Sequence, residues 1–306
     1  MKFSWILTVL LGNFSLPVVS IAQEKTELPK KPKSVSADGK IVTLDLGGKV
    51  TLRLVRILKG SFQMGSPKTG DIYARDNEKP QHTVELTKEF YMGETEVTVG
   101  QFKRFAAEMG YQTEVEKMGG KISWKDPGFR GEVQTDDHPV VYVSYRDAFL
   151  FCIWLGKNTG YKFGLPTEAQ WEYACRAGSK TIYSFGDDGR QADRYAWYGE
   201  NTKGTGTRAV RQKKPNAFGL YDMHGNVFEW CSDMFNENEY TTEKRTDPTG
   251  PQRGEQRQYR GGSWAADAAS FRSAGRGWAV PHVNPGYSTI GFRVVGVPSE
   301  STSSKE

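Results

Sequence analysis

The chain has little of what metal and nucleophile chemistry draws on: three cysteines and four histidines in 306 residues. Cys152, Cys175 and Cys231 show no CxxC or CxxxC spacing, which argues against a structural zinc site. Their odd number allows at most one intramolecular disulfide. His82, His138, His224 and His282 form no HExxH, and neither GxSxG nor a P-loop occurs, so those metalloprotease, hydrolase and nucleotide chemistries have no motif here. Leucine heptads and internal repeats are missing too. No apolar run beyond the N-terminus is long enough to cross a bilayer. Neither sign of charge dominates: 41 basic and 36 acidic residues give +5, mixed along the chain. The largest basic cluster, Arg208, Arg211, Lys213 and Lys214, carries no interleaved aromatic platform, so it is read as solvated surface and no nucleic acid partner is expected.

Glycine (34), tryptophan (8) and tyrosine (14) are plentiful, which predicts much irregular structure held by aromatic packing. The first residues, MKFSWILTVLLGNFSLPVVSIAQ, place Lys2 before a short apolar core and small residues at Ser20-Ile21-Ala22. That is the pattern of a signal peptide over 1–22. It predicts a secreted or periplasmic protein with no membrane span after cleavage. Residues 23–40 are polar and proline-bearing, a flexible lead-in, and 298–306 form a disordered tail. A single domain is expected over 41–297.

Within it the fold class is α+β with little regular secondary structure. IVTLDL and VTLRLVRI alternate around Gly47-Gly48 as a hairpin, and HTVELTKEFYMGETEVT continues the strand pattern. Three helices follow from capping signals: Thr98 with Gln101, Ser144 with Asp147, and Thr167 with Gln170. Their expected buried stripes are Phe102, Phe105, Ala106 and Met109 in the first and Ala148, Phe149, Cys152 and Leu155 in the second, with Gly178 ending the third. Cys152 and Cys175 fall on apolar faces, where a thiol is ordinarily buried and inert. STIGFRVVGV reads as a buried strand with Ile290, Phe292 and Val294 on one face.

Eight runs, in order, resemble one family: GSFQMGS (60–66), KEFYMGETEVTVGQF (88–102), GYQTEVEKMGG (110–120), DDHPVVYVSYRDAFLFC (136–152), GLPTEAQWEYACRAG (164–178), KPNAFGLYDMHGNVFEW (214–230), RGGSW (260–264) and GFRVV (291–295). This is the order of the formylglycine-generating enzymes, or sulfatase-modifying factors, and the resemblance covers roughly 41–297. It implies the family's variant of the C-type lectin-like fold. It also implies oxidation of a cysteine in an unfolded sulfatase segment by O₂ and Cu(I), chemistry that needs two thiolates because soft sulfur selects Cu(I). Counted without gaps from Gly261-Gly262-Ser263, those two positions hold Ala266 and Phe271, and no cysteine lies beyond residue 231. Copper is therefore not expected. By the same resemblance Cys152 and Cys175 match halves of structural disulfides whose partners this chain lacks, so pairing with each other and staying reduced are both open. Cys231 matches no catalytic cysteine.

The resemblance further implies a structural calcium site at Asp222, Gly225, Val227 and Glu229, with side-chain oxygens from Asp222 and Glu229 and carbonyls from Gly225 and Val227. The alternative is a packed turn with Glu229 in a surface ion pair. A second family calcium site, near 195–210, lacks its matching acid and is not carried over. His224, a single imidazole, is expected to be a hydrogen-bonded structural residue.

These observations favour an exported family member that is a non-copper pseudo-enzyme or a binding module for a protein or carbohydrate ligand, with a sulfatase among the candidate partners. The second hypothesis is the sulfatase-modifying oxidase itself. An iron-dependent relative would need an added helical domain with an HxxxHxE run, which is absent. The frame RGGSW…RSA…GFRVV also resembles retroelement-diversified ligand-binding proteins, with 265–270, 275, 277, 279–280 and 282–289 displayed. An adjacent reverse transcriptase and a near-repeat of the gene's 3′ end would identify that case. The candidate binding surface is Trp264, Asp267, Arg272, Arg276, Trp278, His282 and Asn284, with Trp264 expected as an anchor in the core and Arg272 and Arg276 expected to pair with carboxylates such as Glu229 or Asp233.

Overall fold

The computed structural model describes residues 34–36, 38–131, 133–236, 239–282 and 287–299. The proposed signal peptide, the end of the tail and Asn284 lie outside them. The chain opens with strands β1 (Ser34–Val35), β2 (Ile41–Asp45), β3 (Thr51–Ile57), β4 (Gly60–Met64), β5 (His82–Leu86) and β6 (Phe90–Gly93). Helices α1 (Val99–Met109), α2 (Glu114–Lys117) and α3 (Tyr145–Thr159) follow, then β7 (Tyr161–Gly164), α4 (Glu168–Arg176) and α5 (Gly199–Thr202). The C-terminal third carries β8 (Phe228–Met234), β9 (Arg245–Thr246), β10 (Arg257–Arg260), β11 (Gly277–Ala279), β12 (Ile290–Gly291) and β13 (Val295–Pro298). No helix among the described residues is long and apolar enough to cross a membrane.

The largest sheet has the order β1-β2-β3-β6-β13-β7, the second β11-β10-β8-β12, the third β4-β5-β9. The β2–β3 hairpin turns through Gly47, Gly48 and Lys49, all at positive φ, which the two glycines adopt without steric cost. The large sheet begins earlier than the sequence pattern suggested: β1, inside the stretch read as lead-in, pairs Val35 with Val42.

Both predicted capping boxes form, at Thr98–Gln101 and Thr167–Gln170, and the predicted cap Ser144 forms a third with Asp147. The stripes differ in detail. Met109 and Phe149 are exposed, while Phe151 and Trp154 of α3 are buried. The left-handed cap after α4 falls on Ala177, with Gly178 following it at positive φ. The predicted strand over 288–297 splits: Ile290–Gly291 pair with β8 and Val295 onward joins the large sheet as β13, while Phe292, Arg293 and Val294 between them are all buried. One core joins β2 and β3 to α1 and α3 around Phe102, Phe105, Phe151, Trp154 and Phe292. A second sets α4 against β4–β6 around Trp171 and Met92.

Four buried arginines hold the irregular C-terminal third to this framework. Arg260 pairs with Glu172, Arg272 with Glu78, Arg276 with Glu168 and Arg293 with Glu229. Each guanidinium is at most 3% exposed. A planar fork with five donors satisfies a carboxylate and nearby carbonyls together, which is why arginine and not lysine occupies these positions.

Candidate functional site

Ala266 and Phe271 sit where the family resemblance reserves thiolates, and the structure gives both to the frame. Ala266 is half-buried, its N–H donating to the Ser263 carbonyl (2.9 Å) and its carbonyl accepting from Gly199 N–H (2.8 Å). Phe271 is wholly buried among Tyr183, Tyr198 and His224, with ring centroids 5.5, 5.2 and 6.4 Å away. Gly262 makes room for it: at φ +81°, a Cβ there would stand 2.3 Å from that of Phe271.

The three thiols offer no substitute. Cys152, Cys175 and Cys231 are free and buried, which settles the pairing of Cys152 with Cys175 in favour of the unpaired state. Burial pushes the Cys175 thiol up to about 12, and those of Cys152 and Cys231 well above the ordinary range. Cys175 Sγ does approach His224 Nε2 at 3.7 Å. Burial pulls that imidazole down to about 4, so the pair is neutral and is not the ion pair an activated cysteine requires. His224 is a strut: Nδ1 donates to the Phe271 carbonyl (2.8 Å) and Nε2 accepts from Ser184 N–H (3.1 Å). The residues present do not fit copper.

The loop 222–229 is built tightly. Asp222 and Asn226 adopt left-handed φ of 60° and 62°. Gly225 lies so close to Trp197 that a Cβ would meet its carbonyl at 2.3 Å. Asn226 bridges to Arg208, accepting from its N–H (3.0 Å) and donating to its carbonyl (3.1 Å). Val227 is buried. Glu229 is not in a surface ion pair but in a buried one: Arg293 Nε donates to both its oxygens (3.1 and 3.0 Å), Nη2 donates to Oε1 (2.7 Å), and Trp171 Nε1 donates to Oε2 (2.8 Å). Asp222 accepts Arg211 N–H on Oδ2 (2.9 Å), while its Oδ1 has no hydrogen-bond partner among the described residues. Both oxygens of Glu96, a residue outside the predicted site, are likewise buried and without a hydrogen-bond partner among the described residues. Burial pushes the Asp222 carboxyl up to about 6, and burial with the neighbouring Asp222 raises Glu96 well above its usual range. Among the described residues no three Asp, Glu, His or Cys side chains converge as a metal cluster by themselves. The unfilled oxygens of Asp222 and Glu96 are nevertheless hard acceptors of the kind a calcium ion takes, completed by carbonyls and water. Glu96 lies in a continuous buried run, 92–102, that only the fold reveals.

The predicted binding surface divides. Arg272 and Arg276 are a correction: they are interior residues. Arg272 grips Glu78 (2.7 and 2.5 Å) and Asp71 (2.8 Å). Arg276 grips Glu168 (2.7 Å) and lies 3.7 Å over the Tyr240 ring. Neither expected partner, Glu229 or Asp233, is used. Trp264 is half-buried and ties segments together, its indole donating to the Ser288 carbonyl (2.9 Å) and its ring meeting Phe129 edge-on. Asp267 is exposed and closes its own turn onto Ser270. Trp278 is 39% exposed and stacks flat on Phe235, a partner not foreseen, with centroids 4.0 Å apart. Arg257 pairs with Ala279 and so points to the opposite face of that strand pair, where it lies 4.2 Å over Tyr145, whose N–H donates to the Pro281 carbonyl. His282 is exposed. Of the positions considered for display, Gly275 and Ala279 are buried, whereas Ala265, Asp267, Val280 and His282 face solvent.

Asp233 caps the start of α4, accepting from Glu168 N–H (2.9 Å). Burial, and after it the charge of Glu168, push its carboxyl up to about 7. The folded state therefore holds a proton that the unfolded chain, with an ordinary carboxyl near 4, has already released. Stability attributable to Asp233 is full below about pH 4 and is lost as pH rises through 7. Urea denaturation at pH 5 and pH 8 should show the wild type losing on the order of 2 kcal/mol relative to Asp233→Asn. Parallel behaviour of the two proteins would mean that the carboxyl is not held protonated.

Comparison with known proteins bears on the whole of this arrangement. The profile of the sulfatase-modifying factor enzyme 1-like domain matches residues 49–297. The chain is 34% identical over 284 residues to a formylglycine-generating enzyme of Streptomyces coelicolor, covering 78% of this chain and 87% of that one. It is 30% identical over 233 residues to a Bos taurus protein named inactive C-alpha-formylglycine-generating enzyme 2, covering 63% and 74%. Among solved structures it is similar to PvdO from Pseudomonas aeruginosa (TM-score 0.71, 28% identity, 87% and 99% of the two chains). It is also similar to Treponema denticola variable protein 1 (TM-score 0.67, 28% identity, 83% and 97%).

Proposed function

Because the chain belongs to the sulfatase-modifying factor enzyme 1-like family, we propose that it is an exported member that has given up copper-dependent cysteine oxidation and serves as a ligand-binding module with a calcium-fixed loop. One observation carries this reading: Phe271, at a position where the oxidase needs a thiolate, is a packed core residue, and every thiol in the chain is buried elsewhere. The family thus supplies the scaffold, which we take to be its variant of the C-type lectin-like fold, without its redox centre. Residues 1–22 direct export in this scheme. The relative named as an inactive enzyme is consistent with a family that keeps the fold after the chemistry is lost. The ligand, protein or carbohydrate, would meet the exposed face around Trp278, Val280 and His282, where a stacked tryptophan offers a flat ring. A sulfatase segment is one candidate for that partner.

The test is direct. The purified protein is incubated with Cu(I), O₂ and a Cys-x-Pro-x-Arg peptide, and the peptide mass is followed. No change is expected. Conversion of the cysteine to formylglycine would restore the oxidase reading.

A further inference from the structure

We propose that the free edge of β4 takes an extended acidic peptide as an added strand, seated in the cavity between that edge and the loop after α4. This site goes beyond the function proposed above and shares no residue with the face around Trp278. β4 ends its sheet, with β5 on one side only. At five residues it is the longest terminal strand among the described residues. Along a strand every second residue turns its N–H and C=O away from the paired neighbour, so a terminal strand is a template for another. Proteins ordinarily blunt such an edge with proline, lysine, a bulge or a cover. β4, GSFQM, contains no proline and no lysine, and its register with β5 runs from Gly60–Leu86 to Met64–His82 without a shift. Among the described residues, no backbone group of 60–64 bonds to a side chain or to any segment other than β5. The chain finds other partners only at Gly65, whose N–H donates to Glu172 (2.9 Å) and whose carbonyl accepts from Gln81 (3.1 Å).

A cavity of about 280 Å³ lies against this edge. Three consecutive residues, Ser61, Phe62 and Gln63, line it, so it runs beside the strand and not under one face alone. Tyr173 and Phe218 supply an apolar wall: their ring centroids lie 5.8 Å apart, and Phe62 lies 5.4 Å from Tyr173. An added strand can set apolar side chains of alternate positions against these rings. Charge then selects the occupant. Among the described residues no acid lines the cavity, whereas Lys180 does. Lys59, directly before β4, and Lys68, next to the lining Pro67, are exposed like Lys180. None of the three lysines is in an ion pair among the described residues. The acids nearby are committed elsewhere: Glu85, opposite Ser61, to Lys244, Asp71 to Arg272, and Glu172 to Arg176. Uncompensated cations along an open edge favour a segment that alternates apolar residues with aspartate or glutamate.

The full mature chain is titrated with a fluorescent, end-capped peptide that alternates valine with glutamate over about six residues, the length of an ordinary strand. Anisotropy should report binding that weakens with salt. The same peptide with lysine for glutamate should bind at least about tenfold more weakly. Lys180→Glu, a change at an exposed position, should weaken the acidic peptide at least about threefold. Two further peptides carry N-methyl groups on the odd or on the even amides. A strand added at an edge uses only alternate amides, so one of the two should lose binding and the other keep it. Any other pattern between these two overturns strand addition. No binding of the acidic peptide, or equal binding of the basic one, overturns the acidic partner. Self-association of the peptide-free chain that Gln63→Lys abolishes, followed by sedimentation, would give the edge to a second copy instead.

Discussion

Arg293→Met is expected to lose about 3–5 kcal/mol of folding stability, the range for removing one partner of a buried ion pair. Arg293 is wholly buried and makes hydrogen bonds to both Glu229 oxygens and to the Gly93 and Tyr221 carbonyls. Methionine fills much of the same volume, so the loss measures charge and hydrogen bonding more than a cavity. What it leaves behind is Glu229 uncompensated, next to two further buried carboxylates. Adding Glu229→Gln to Arg293→Met should recover part of the loss, because the amide does not carry the stranded charge. The coupling between the two sites, from a double-mutant cycle in urea, should fall in the range of about 0.5–3 kcal/mol found for contacting residues. Additive losses, or a single-variant loss below about 1 kcal/mol, would mean that water already solvates Glu229.

What could be foreseen from the sequence follows the range of the interaction. Helix caps at Thr98, Ser144 and Thr167 are settled by residues at most three apart, and all three form. The hairpin at Gly47-Gly48 is equally local. The stripe of α3 was harder, because AFLFCIWL is nearly continuous apolar sequence and periodicity alone cannot choose a face. Contact with α1 chooses it, burying Phe151 against Phe102 and Phe105 and leaving Phe149 to pack on Tyr145 at the surface. The arginine latches lie beyond any such reading. Arg272 finds Glu78 across 194 positions of sequence and Arg276 finds Glu168 across 108. A chain with several arginines near its C-terminus announces that acids are needed, but only the fold says which. The same limit hid Glu96, whose significance comes entirely from Asp222 and Arg293 being placed beside it.

Phe271→Ala is expected to lose about 3–5 kcal/mol, as for other wholly buried aromatic truncations. The ring touches Tyr183, Tyr198 and His224, so its removal opens a cavity that these rings cannot close without leaving their own contacts. His224 is also bound to the Phe271 carbonyl, so collapse of the segment would disturb the start of the 222–229 loop as well. This outcome separates two ideas of the C-terminal stretch. A residue lining an open reaction centre tolerates truncation, and a loss within about 0.5 kcal/mol, the spread of ordinary surface substitutions, would put Phe271 there. A loss in the expected range makes it a structural replacement for a catalytic thiol. In that case the double variant Ala266→Cys with Phe271→Cys should not gain copper-dependent peptide oxidation. Its second thiol would start in the space of a buried ring rather than at a surface open to a peptide and O₂, and the variant would carry most of the cost of Phe271→Ala. Urea denaturation of the single variant and the peptide assay on the double variant together decide whether only two side chains, or a whole rebuilt pocket, stand between this chain and the oxidase.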